Sequence, residues 1–318
     1  MDFPGGKRFC FSILDDTDDA TVVNVKPVYD HLFKCGLRTT KTVWPMDCPE
    51  GSRHFFAAET LQDKSYCAFV HELVSRGFEV ALHGATMESS PRERTLRGLQ
   101  FLQDEFALSP RLHCNHAFNK ENLYWGLQRL RSPLLRAIFR LVWGESGDSY
   151  EGAKESSPFF WGDRCLAQID YVRNFTFTKL NMLEVNPEMP YRRADTAYVK
   201  YWFSTADVED VDAFNRHLTV ERIDELEARG AVCIISTHLG KGYARNGKLN
   251  AETAKRLEYL GAKAGWFAPV SEVLDHLRSQ RQRDPIMTWM QTAKLEYRYF
   301  FDKVFRMLER QRRHVRTD

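Results

Sequence analysis

Short apolar runs alternate with amphipathic stretches from the start of the chain. Arg8–Leu14 (RFCFSIL) is a β-prone run that ends in Asp15-Asp16. A helical pattern follows over Val22–Cys35, with Val25, Val28, Tyr29, Leu32 and Phe33 on one face and Gly36 as its stop. The same rhythm predicts a strand over Arg38–Trp44, a helix over Ser65–Arg76 stopped by Gly77, and a strand over Phe78–Leu82 entering His83-Gly84. Pro91–Phe106 reads as a helix with Pro at its N-terminal position, where the missing N–H does no harm. Arg111–Cys114 is a short strand leading into Asn115-His116. Gly144–Gly162 is rich in Gly, Ser and charge, and is expected to be a long surface loop, a lid or substrate rim. Strands return at Tyr171–Phe177 and Tyr198–Ser204, and a helix is expected over Val211–Ala228, ended by Gly230. The apolar strand Ala231–Ser236 delivers Thr237-His238, and a helix at Ala251–Ala264 and a strand-turn at Trp266–Pro269 complete the series.

This alternation implies a parallel sheet with helical crossovers. Seven or eight such units before Arg278 suit one (β/α) barrel. A doubly wound open sheet is the nearest competitor, and periodicity alone does not separate the two. The expected division is residues 1–277 as the barrel and 278–318 as a basic amphipathic helical tail.

Composition narrows the picture. A chain of 318 residues that is 43% hydrophobic and 28% charged can bury a sizeable core. A formal net charge of +2 provides no global reason to expect a nucleic-acid partner. The charge is uneven, however: from Arg278 onward there are eleven Lys and Arg against five Asp and Glu. Met1–Lys7 has no basic-then-apolar leader pattern, and no apolar stretch approaches the ~18–20 residues of a membrane span. The seven cysteines show no CxxC spacing and most read as buried thiols, so a cytoplasmic location is expected.

The candidate chemistry lies in where polar residues fall. Asp15-Asp16, His83, Asn115-His116 and Thr237-His238 each follow an expected parallel strand. In a (β/α) barrel those positions converge on the face where active sites are built. The competing reading is local: an Asp after a strand is often a helix N-cap, and Asp18 and Asp19 are read that way. His31, His54, His71, His217, His276 and His314 sit in helical or surface contexts and are read as structural. Two His and one Asp can hold a divalent metal while leaving positions for water and a substrate oxygen. A neighbouring free carboxylate can act as general base, and a further His can protonate a leaving amine.

These motifs resemble the polysaccharide deacetylases, carbohydrate esterases with a chitooligosaccharide-deacetylase homology domain. "FSILDDTDDAT" is similar to the first motif, "GFEVALHGATMESS" to the second as far as His83, and "AVCIISTHLGKG" to the last. The resemblance implies a distorted (β/α)7 barrel with a C-terminal helical extension. It also implies Asp15 as base, Asp16 and His83 as metal ligands and His238 as acid. The second His of the family's His-x-x-x-His loop is Met87 here, so His116 is expected to supply the third ligand, with His113 as the weaker candidate. The family's arginine motif is not recognisable in the sequence, nor is its Asp-Trp motif.

The implied cofactor is one divalent ion, zinc foremost, with cobalt or nickel as alternatives. The implied reaction removes an acyl group, N-acetyl foremost, from a sugar or glycan precursor. Asn115, Asn119, Tyr124, Trp125 and Trp161 are the candidate substrate-binding residues, with packing in the core as the competing reading of the aromatic ones. A carbohydrate-binding pseudoenzyme and an amidase acting on a non-sugar amide are the alternatives.

Pro285 breaks the chain before a helical pattern at Trp289–Leu308, and Gln311–Arg316 adds three arginines. This tail is read either as a helix packed on the barrel with a solvated basic end or as an interfacial helix at the inner membrane face. A homo-oligomer remains an open alternative.

Overall fold

The computed structural model describes residues 2–49, 58–107, 109–145, 149–284 and 286–314, with side chains as far as Glu309. Seven parallel strands close on themselves: β1 (Phe9–Asp15), β2 (Thr40–Val43), β3 (Glu79–Leu82), β4 (Leu112–His113), β5 (Tyr171–Phe177), β6 (Tyr201–Asp207) and β7 (Val232–Thr237). Closure comes from β1, which pairs with β2 on one side and with β7 on the other, in register from Cys10↔Val232 to Asp15↔Thr237. Every residue of β1 is buried, because its two faces meet the barrel interior and the surrounding helices. The open-sheet alternative is thereby excluded, and the expected seven-stranded barrel is what the chain forms.

Helices α1 (Val22–Lys34), α2 (Lys64–Ser75) and α3 (Arg92–Phe106) follow the first three strands in turn. In α1, Val25, Val28, Tyr29 and Leu32 pack inward, and Thr21 and Asn24 form a reciprocal capping box at its start. Between β4 and β5 lie α4 (Pro133–Trp143) and α5 (Gly162–Gln168). The α4 segment was not among the expected helices, although Ser132 caps Leu135 N and Pro133 opens the first turn. The short α6 (Met182–Val185) precedes β6.

The single helix expected over Val211–Ala228 is two, α7 (Val211–His217) and α8 (Val220–Arg229). Thr219 breaks the run because its hydroxyl accepts from Arg222 N and so caps a new helix. A hairpin of β8 (Ala244–Arg245) and β9 (Lys248–Leu249), then α9 (Ala251–Gly261), leads to β10 (Gly265–Phe267), which pairs in parallel with Phe9–Phe11 at the start of β1.

The last helices are α10 (Val270–Ser279) and α11 (Trp289–His314). The inner side of α11 packs on β5 and α4. Its Glu296, fully buried, accepts from Arg131 N (2.6 Å) and Ser132 N (3.0 Å) at the start of α4. Asp302 accepts from Thr178 N (2.9 Å), and Arg306 bonds Asp207. Among the described residues, no helix is long and apolar enough to cross a membrane. His54, residues 146–148 of the expected loop, Pro285 and the side chains of Gln311–Arg316 lie outside the described residues. Elsewhere that loop is largely at the surface, with Lys154, Glu155, Ser156 and Pro158 exposed, but it is pinned at its end, where Trp161 N donates to Gly152 O and the Trp161 ring is buried.

Candidate active site

The C-terminal ends of β1, β3, β4 and β7, with the first half of β5, bring their polar residues together. Asp16 and Asp18 follow β1, His83 follows β3, His116 follows β4, Arg173 lies within β5, and Ser236 and His238 come from β7. Asp18 stands at the centre. Its Oδ1 is 3.4 Å from His116 Nε2 and 3.6 Å from His83 Nε2, and its Oδ2 is 3.3 Å from His238 Nε2. Asp18 does not cap α1; Thr21 does. Gly84 allows the turn after His83 with φ +109°, and Gly240 presses on the Asp19–Ala20 backbone, which fixes the loop carrying Asp18.

The paired aspartates divide differently from the sequence expectation. Asp15 is fully buried; its Oδ2 accepts from Tyr29 OH (2.9 Å) and pairs with Lys41 Nζ (2.9 Å), while its Oδ1 accepts from Leu239 N (2.8 Å). Both oxygens of that carboxylate are engaged, beside the β1–β2 pairing of Asp15 with Lys41. Asp16 instead turns towards the histidines. Its Oδ2 accepts from Arg173 Nη1 at 2.7 Å, and its buried Oδ1 has no hydrogen-bond partner and lies 3.9 Å from His83 Nδ1.

Electrostatics follow from these neighbours. Burial by itself would raise the Asp16 pKa, but Arg173, with His83 and His238, outweighs it and leaves the carboxyl below its usual range. Asp18 is likewise pushed up by burial and pulled well below the carboxylate range by His238, His83 and His116. Burial, with the charge of His83, takes His116 down to about 4, so it stands as a neutral imidazole. His238 moves the other way. Burial lowers it, but Asp18 and Asp16 overcome that and hold its protonated form, while its Nδ1 meets Glu209 O at 2.9 Å.

Two sets of side chains in this region have ligand atoms within 4.8 Å of one another: Asp18, His83 and His116, and Asp16, His83 and Cys114. Burial pushes the Cys114 thiol far up, so it is not a thiolate, and Asp16 already holds Arg173. The first set fits a divalent ion. It offers one carboxylate oxygen, which is buried without a hydrogen-bond partner, and two imidazole nitrogens. His113 does not enter it: its Nδ1 meets Leu82 O and its Nε2 meets Asn115 Oδ1, both at 3.1 Å, and burial lowers it to about 3. The Met87 side chain is buried, and its backbone bonds the His116 ring.

The remaining candidates are scattered. Asn115 is buried and ties Leu123 N and O to His113. Asn119 donates to Glu121, and Trp161 Nε1 donates to Glu121 O while its ring meets the edge of His113. Tyr124 OH accepts from Tyr198 N, and Trp125 is covered by the Arg129 guanidinium at 4.2 Å. The aromatic ring against the cluster is Trp44, fully buried beside His83 and His116.

Asp18 and His238 keep some exposure, 13% and 19% of their side chains, and His238 opens on a cavity of about 390 Å³ walled by Arg216, His217 and Arg306. Arg173 and Asp18 are the residues that sequence reading missed. The available signal for Arg173 was a lone cation inside the apolar run YVRNFTF.

The sequence matches no family model and no curated protein. Among solved structures, a candidate polysaccharide deacetylase from Mycobacterium smegmatis superposes with a TM-score of 0.52 at 13% identity, covering 91% of this chain and 96% of its own. Puue allantoinase superposes with a TM-score of 0.51 at 12% identity, covering 88% of this chain and 94% of its own. Along nearly its whole length, therefore, this chain has the fold that those two proteins share, the barrel expected from its resemblance to the polysaccharide deacetylases.

Proposed function

We propose that this protein is a metal-dependent hydrolase that cleaves an amide C–N bond, removing an N-acetyl group from a sugar or glycan precursor. The observation that carries this reading is an Arg-held carboxylate, Asp16, and an imidazole, His238, whose Nε2 lies 3.3 Å from Asp18 Oδ2, flanking the Asp18–His83–His116 set. Those three side chains would hold one divalent cation, which when bound supplies Lewis-acid polarisation of the scissile carbonyl and of the attacking water. Asp16, through its free Oδ1, takes the proton of that water as the C–O bond forms. Arg173 keeps the Asp16 carboxylate ionised and aimed. His238 gives its Nε2 proton to the nitrogen as the C–N bond breaks, with Glu209 O fixing the ring through Nδ1. Asp15 and Lys41 are framework beneath the site.

A second reading, a compact non-sugar amide as substrate, is favoured by one observation. Trp161 and Asn115 are packed, and Tyr124 and Trp125 line cavities whose walls include no histidine. Metal content of the purified chain, and of Asp18→Asn, His83→Ala and His116→Ala, tests the site. Acetate release from N-acetylated sugar oligomers, against ring opening of cyclic amides, separates the substrates. Glycan binding without metal or turnover would replace both readings with a binding-only protein.

A further inference from the structure

The outward face of α11 is apolar along its described length. Met290, Tyr297, Phe301, Phe305 and Leu308 are exposed, Phe301 by 64% and Phe305 by 51%, at the three- and four-residue spacing that places side chains on one face. Between Met290 and Glu309 the one other exposed residue is Lys294. The helix cannot turn this stripe inward, because Glu296, Asp302 and Arg306 on its other side are held by polar partners in the barrel. Beside it α4, seated through Phe139 and Trp143 against Phe300, exposes Leu134, Leu141 (85%) and Val142 together with Arg136 and Arg140. Neither arginine has an ion-pair partner among the described residues. The sequence continues α11 with Arg310, Arg312, Arg313 and, just past it, Arg316.

Scattered exposed hydrophobics are ordinary; a stripe running the length of a helix marks an interaction surface. Its charge decides what it meets. A two-fold pairing of copies would set this cationic border against itself, whereas anionic headgroups complement it. Spanning is excluded for the described helices by their hydropathy.

We propose that α11, with α4 beside it, docks this protein on an anionic lipid leaflet. The aromatic and aliphatic side chains enter the boundary between headgroups and acyl chains, and Lys294, Arg136 and Arg140 meet lipid phosphates. Docking does not depend on the reaction in the barrel.

Flotation of the full chain with phosphatidylcholine vesicles, with and without phosphatidylglycerol, tests this. Binding to the phosphatidylglycerol vesicles is expected, weakened by high salt. It should fall roughly tenfold or more in the double variant Phe301→Glu/Phe305→Glu and in Arg136→Glu/Arg140→Glu, with unchanged thermal unfolding. Both pairs are at the surface, so an unchanged melt reports an intact fold. Absence of binding by the native chain, or equal binding by the double Phe variant, would overturn the proposal. So would a dimer that the Phe substitutions dissolve in a chain that ignores vesicles, which would assign the face to a second copy.

Discussion

Arg173 Nη1 lies 2.7 Å from Asp16 Oδ2, both side chains are buried, and Ser236 Oγ shares the same guanidinium nitrogen. A buried cation on a strand is tolerated only where its charge is answered, and here the answering group is the proposed base. In Arg173→Gln, kcat is expected to fall about a hundredfold with a smaller change in KM, because the base loses its orienting partner. The melting temperature should also drop, since a buried carboxylate is left without its cation. Steady-state kinetics and thermal unfolding read the two effects. A variant altered only in KM would place Arg173 on the substrate instead.

The two aspartates on either side of the proposed base should separate cleanly. Asp18→Asn is expected to lose bound metal, because a proposed ligand oxygen is replaced, and to lose some stability as well, because the carboxylate answers His238. Asp15→Asn should keep the metal but lose about 3–5 kcal/mol of stability, because Lys41 would remain buried without its counter-charge. Elemental analysis and denaturant unfolding of both variants check this. Metal lost in Asp15→Asn at full stability would reverse the roles.

Gly240 is a structural clamp on the cluster. A Cβ there would lie 2.5 Å from the Asp19 carbonyl carbon and oxygen, so Gly240→Ala must displace the loop that carries Asp18. A cost of about 1–3 kcal/mol is expected, with weaker metal binding although no proposed ligand is changed. Cobalt titration followed by visible absorption reads the second effect directly.

Glu121, whose carboxylate lies beside Gly84, sets a pH dependence of its own. Burial raises its pKa to about 7, against hydrogen bonds from Ser90 N (2.9 Å) and Asn119 Nδ2 (3.2 Å). Unfolded, it titrates near 4.5. Between those values the folded chain holds a proton that the unfolded chain has released, so stability falls as pH rises through this window. The loss is at most about 3.4 kcal/mol, at 1.36 kcal/mol per unit over the interval from 4.5 to about 7. Glu121→Gln should flatten the unfolding free energy between pH 5 and pH 8. An unchanged slope would assign the pH dependence elsewhere.

The barrel was legible because its signals are local. Apolar runs such as FCFSIL and VCIIST, the stop signals Gly36, Gly77 and Gly230, and Pro91 report backbone preference and burial within a few residues. Strand ends could therefore be located, and His83, His116, His238 and the Asp15–Asp18 segment with them. Even so, Thr219 split an expected helix, and α4 went unread despite its Ser-Pro start.

Which atoms face one another was decided only by closure of the barrel. Asp15 and Asp16 are adjacent, and side chains alternate along a strand, so one turns to Lys41 in the wall and the other to Arg173 in the interior. No spacing rule connects Asp16 to a residue 157 positions later. Asp18 looked like a helix cap because capping is a short-range signal, while its three histidine neighbours come from β3, β4 and β7. Trp161 and Asn115 looked like substrate contacts because side-chain chemistry is visible in a sequence and burial is not. The sequence by itself thus determined the strand-helix order and the stock of candidate groups. Tertiary structure alone decided which of them share a charge, because long-range pairing depends on how strands close and not on what lies beside each residue in the chain.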